Sequence, residues 1–168
     1  MIAVALVGGA LVGGALGGCG GKGDSTAMTD QDLAPSARVT YEFHDSSVPP
    51  PYHRSYVLTF DRSAARIVVD SYGDVLADRT APMTDTVWAT VSQSFPDIRG
   101  VRVRDPEQGC TGGTSFAVTV ADGDQQGFAV RGLACGGVNS DVAEKLATWV
   151  RPVRELFPPM NELAPEGP

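Results

Sequence analysis

Regular alternation of apolar and polar residues begins at Arg38. As far as His44, Val39, Tyr41 and Phe43 fall on one side and Arg38, Thr40, Glu42 and His44 on the other, as in a strand with one buried face. Asp45 to Arg54 interrupts this with Pro49-Pro50-Pro51, which cannot enter a central ladder and favours extended geometry, so the stretch reads as a stiff surface loop. Tyr56 to Phe60 and Arg66 to Val69 predict a hairpin closed by Asp61 to Ala65. Ser71 to Asp74 reads as a turn and Val75 to Ala77 as a short extended piece.

The period then lengthens. Thr84 as a cap, Asp85 in the first turn and the spacing of Val87, Trp88, Val91 and Phe95 predict a helix from Thr84 to Phe95, with Met83 stapled to Trp88 and Pro96 ending it. Val101 and Val103 read as the start of another strand, and Ser115 to Val120 with Gly127 to Arg131 as a second hairpin around Asp122-Gly123-Asp124. Val142, Leu146, Trp149, Val150, Val153 and Leu156 predict a last helix from Ser140 to Phe157, kinked at Pro152, with Lys145, Arg151 and Arg154 outside. Residues 159–168 are expected to form a loose tail.

These elements imply an α+β fold: an antiparallel sheet of five to seven strands with two helices on one face, both tryptophans in one core, and a single domain over residues 37–158. The order strand, hairpin, helix recurs about 60 residues on, which leaves open either a duplicated strand-strand-helix unit or a common arrangement met twice.

Upstream, the pattern is of another kind. Met1 to Gly18 carries no charged side chain and is apolar from Ile2 to Leu16, with small residues just before Cys19. Leu16-Gly17-Gly18-Cys19 resembles the lipobox of bacterial lipoproteins. The resemblance covers the first nineteen residues and implies a signal peptide over 1–18, acyl chains such as palmitate on Cys19, and a mature chain held at the cell membrane on its extracytoplasmic side. A spanning helix would need about 20 apolar residues, more than this glycine-broken segment offers. Residues 19–36 lack apolar periodicity and are expected to be a flexible tether.

With Cys19 assigned to the lipid, Cys110 and Cys135 form an even pair outside the cytoplasm, most simply a disulfide; a two-cysteine metal site is the rival reading. The net charge of −7 argues against nucleic acid as a partner. No cofactor or metal motif is present in the sequence.

Glu42, His44, Asp45 and His53 are the densest titratable group, yet no nucleophile elbow or metal-binding helix motif accompanies them. Two loops are candidates for binding instead. One carries Tyr52, His53 and Arg54; the other carries Thr111, Gly112, Gly113 and Thr114, whose glycines permit positive φ beside Cys110. The favoured reading is a non-enzymatic, lipid-anchored envelope module that binds or scaffolds an envelope protein or peptide, touching the membrane through the lipid on Cys19. An extracytoplasmic hydrolase with a site near His44 is the alternative, and a protease-inhibitor-like module a weaker one.

Overall fold

A computed structural model describes residues 32–105 and 110–165. The signal-like segment, Cys19 and most of the expected tether lie outside the described residues. Six strands, β1 (Ala37–His44), β2 (Ser55–Phe60), β3 (Ala64–Ser71), β4 (Asp74–Pro82), β5 (Thr114–Asp122) and β6 (Gln125–Ala134), form one antiparallel sheet in the order β4-β3-β2-β1-β5-β6. The helices are α1 (Asp85–Gln93), α2 (Phe95–Arg99), α3 (Ser140–Arg154) and α4 (Met160–Leu163). None of the described helices is long and apolar enough to cross a membrane.

Register converts the period-two pattern into a single apolar face. Tyr41 lies opposite Leu58 and Val118, and Val39 opposite Phe60 and Val120, all buried. Thr40, between them, pairs with Thr59 and Thr119 on the other, more open face. Against the buried face, the Trp149 ring of α3 meets Phe60 of β2, with centroids 6.3 Å apart, and Phe95 of α2 meets Phe128 of β6 edge to face. The Trp149 indole donates to the carbonyl of Val91 in α1 at 2.9 Å. Both tryptophans are buried in the one core cluster.

Several elements differ from expectation. The helix expected to run on to Phe95 stops at Ser94, whose hydroxyl donates to Thr90 O, and restarts as α2 with Pro96 in its first turn. Proline is tolerated there because a first-turn N–H would have no helical acceptor. Val101 and Val103 do not begin a strand: Asn139 occupies both backbone groups of Arg104, accepting from its N–H and donating to its carbonyl at 2.8 Å each. The short extended piece at Val75 to Ala77 is part of β4, a nine-residue edge strand that bulges where β3 passes from Val69 to Asp70.

Core packing begins before the domain boundary expected at residue 37. Leu33 is buried, and its carbonyl accepts from Ser92. Nor is the segment after Pro158 loose as far as Pro165: it forms α4, buries Leu163 and Ala164, and is gripped by Arg54.

Strand order also bears on duplication. β2 and β5 both pair antiparallel with β1, so they run parallel to each other, yet their hairpins lead outward in opposite directions, β2 to β3 and β5 to β6. With the same sheet face buried in both, two such hairpins are related as mirror images, and no rotation superimposes them. The recurrent order is therefore a similarity of pattern rather than one unit used twice.

Candidate functional site

The antiparallel ladder brings the two candidate loops to the same end of the sheet. That end gathers the close of β1 at His44, the opening of β2 at Ser55, the Tyr72-Gly73 turn, the opening of β5 at Thr114 and the close of β6 at Ala134. The segment before β1 lies at the opposite end, where Ser36 donates to Asp122 at the end of β5 at 2.6 Å.

A disulfide joins Cys110 to Cys135 and ties the start of the β5 segment to the end of β6. Gly112 has φ +76°, as the glycine pattern suggested. Gly113 is required for a different reason: a Cβ there would sit 2.8 Å from Ala134 O and would also strike Cys110 Sγ. Thr111 and Gly112 are exposed, and Thr114 is half-buried in a cleft described below.

The loop of Tyr52, His53 and Arg54 is used unevenly. Arg54 serves the fold. Its Nε donates to Ala164 O at 2.8 Å, and further guanidinium bonds reach Pro165 O, His53 O and Pro51 O. His53 is buried, stacked on Tyr72 with ring centroids 4.0 Å apart. Tyr72 adopts φ +52°, uncommon for a residue with a Cβ, and donates its hydroxyl to Val48 O at 2.6 Å. Those contacts offset the local backbone cost and lash the β3–β4 turn to the proline loop. Tyr52 remains open at 51 % exposure. The exposed large hydrophobics among the described residues are Tyr52, Tyr72, Val75 and Leu76, and all belong to this corner.

The titratable group does not converge. His44 and Glu42 approach to 3.4 Å on the open face, both well exposed. The Asp45 carboxylate turns away to accept from Ser46 N at 2.8 Å and Arg54 N at 3.0 Å, closing the loop. Ser55 Oγ lies 3.3 Å from His53 Nε2, a nucleophile-to-base distance, but both residues are buried and His53 Nδ1 has no hydrogen-bond partner. A triad needs an accessible nucleophile and an orienting acid on that second nitrogen. Among the described residues no cluster of three or more His, Cys, Asp or Glu is placed to hold a metal ion.

A cleft of about 280 Å³, open on one side, lies between α3 and the ends of β1, β2 and β5. Its floor is aromatic, made by Tyr41, Phe43, Tyr56 and Phe116. The Tyr56 ring stands 5.8 Å from Tyr41 and 5.5 Å from Phe43. One wall is α3, which presents Ala143 and Ala147 one turn apart with Glu144 beside them; Thr114 and Ser115 close the far rim. Burial pushes the Tyr41 phenol well above its ordinary range, and its neighbour Tyr56 adds to the shift by charge and by hydrogen bonding. Burial likewise raises Tyr56, against opposing contributions from Tyr41 and from the guanidinium of Arg154. Both hydroxyls are therefore neutral at physiological pH.

Reading the sequence for motifs missed Ala143, Glu144 and Ala147, and also Asn139. Alanines at i and i+4 beside an apolar stripe are the available signal for the wall, since small residues leave space over whatever lies opposite. No protein-family model, curated protein or solved structure matches this chain, so its function is argued from its own geometry.

Proposed function

We propose that this protein is an extracytoplasmic binding module, tethered to the cell membrane through a lipid on Cys19, that recognises an envelope protein or peptide with the loop end of its sheet. The carrying observation is the gathering at that end of the exposed apolar corner, the aromatic cleft and the disulfide-bridged loop. Large exposed apolar groups in one place, rimmed by polar residues, are the usual mark of an interaction surface. Internal ties at Tyr72, Arg54 and Cys110 restrain the loops before binding, which lowers the entropy lost on association. The lipid anchor rests on Leu16-Gly17-Gly18-Cys19 alone.

Each half of the proposal has its own test. A fatty-acid analogue fed to cells should label the wild type and not Cys19→Ala, and the unlabelled variant should leave the membrane fraction; label retained by the variant would refute the anchor. For binding, a photo-crosslinking residue at Tyr52 should yield a discrete adduct in native membranes, while the same residue at Arg62, at the other end of the sheet, should not. Equal or absent adducts at both positions would refute recognition through the loop end.

A further inference from the structure

The cleft carries a more specific reading, which rests on the binding proposal above. We infer that it receives a single basic side chain, arginine or lysine, from the partner protein, with the aliphatic stem over Phe43 and Tyr56 and the cationic head toward Glu144.

Size is the first argument. Pockets for free small molecules run from about 300 to 1,000 Å³. At about 280 Å³ and open to one side, this cleft lies at the lower end of that range and has room for one anchoring side chain of a larger partner. Hot spots of protein interfaces are commonly such side chains in pockets.

Chemistry is the second. The floor consists of aromatic rings, of which Phe43 and Tyr56 are half-exposed; aromatic faces attract cations, and the facing helix contributes only the small Ala143 and Ala147 beside Glu144. Glu144 is the one charged residue lining the cleft, and it is exposed and free to swing toward a ligand. Arg154, whose charge acts on Tyr56 in the floor, is engaged elsewhere: its guanidinium donates to Phe157 O at 3.4 Å and Pro158 O at 2.8 Å. An acidic ligand would meet Glu144 with no lining cation to receive it. A purely apolar one would leave the carboxylate without a role. Long basic side chains satisfy both surfaces at once, laying apolar stems on rings while the charged head stays at the wet rim.

The test is an NMR titration of the full chain, in detergent, with N-acetylarginine methylamide and its neutral isostere N-acetylcitrulline methylamide. The arginine probe should shift the amides of Ser115, Ala143, Glu144 and Ala147 and the ring signals of Phe43 and Tyr56. Citrulline, lacking the cation–π and ionic attractions, should bind about tenfold more weakly. Glu144→Gln, a substitution on an exposed helix face, should weaken the arginine probe about threefold, the scale of an exposed ion pair. Ala147→Trp, which fills the cleft, should abolish the shifts while leaving the remaining spectrum folded.

Equal affinity for arginine and citrulline, indifference to Glu144→Gln, or no shift at tens of millimolar probe would each overturn the inference. Should the Tyr52 crosslink persist alongside such a result, binding at the loop end stands and only the basic side chain is wrong. Loss of the crosslink as well removes the binding proposal itself.

Discussion

Tyr41 ties alkaline stability to the floor of the cleft. Its phenol is raised above the ordinary value of 10.0 by burial and by Tyr56, so the fold favours the neutral form. The stability this confers is whole below pH 10 and is lost as pH rises through the higher folded-state value. Urea midpoints should therefore hold steady through neutral pH and fall above about pH 10, and Tyr41→Phe should flatten that fall. An unchanged alkaline slope in the variant would show that other groups dominate. Gly132 offers a second test. A Cβ there would meet Phe116 Cζ at 2.6 Å and Val103 Cγ1 at 2.8 Å, and Phe116 is a buried core ring. Gly132→Ala should cost about 1–3 kcal/mol by overpacking. At Gly100, where a Cβ meets nothing within 4 Å, the same change should stay within about 0.5 kcal/mol. Denaturant melts of the two variants provide the comparison.

Among the elements, α1 and α3 depend on one shared bond. Trp149→Phe keeps an aromatic ring beside Phe60 and Phe95 but removes the N–H that Val91 O accepts, leaving that carbonyl the longer 3.4 Å contact from Ser94 Oγ, and should cost about 0.5–1.5 kcal/mol. Trp149→Ala loses the packing as well, about 3–5 kcal/mol, and a marginal domain would unfold. A Phe variant as stable as wild type would deny the bond its role. These helices were legible in the sequence because their stripes repeat at 3.6 residues and Thr84 caps α1, its side chain accepting from Val87 N at 3.2 Å. The inner strands were legible through alternation. β4 was hidden beyond its first residues because this edge strand is exposed at most positions and buries only Ala77, too little to show alternation; backbone pairing and the exposed Arg66–Asp78 contacts, at 2.6 and 2.8 Å, hold it to β3. Val101 and Val103 misled for the opposite reason, since they alternate while Asn139 takes the backbone groups a ladder would use. The cleft could not be read at all. It arises where α3 crosses the aromatic end of β1 and β2, a meeting of residues about a hundred positions apart that local pattern does not encode.

At the scale of the molecule, six strands of six to ten residues separate the end where β1 begins from the loop end by roughly 25 Å. Two of the ties that brace the loop end can be cut separately. The Cys110–Cys135 bridge closes a separation of 25 residues, and its reduction should lower stability by up to about 3.5 kcal/mol on chain-entropy grounds. Arg54 binds the carbonyls of Ala164 and Pro165, so Arg54→Ala should expose the C-terminal segment to protease before the core unfolds. Simultaneous cleavage and global unfolding would mean the segment has no separate stability. The most direct measurement of function is hydrogen exchange of the full chain in native membranes compared with the purified protein in detergent. If the loop end is the recognition surface, amides of residues 45–54, 110–115 and 140–147 should exchange more slowly in the membranes, while 61–63 and 122–125 at the opposite end of the sheet stay unchanged. Protection confined to 61–63 and 122–125, or absent throughout, would contradict it.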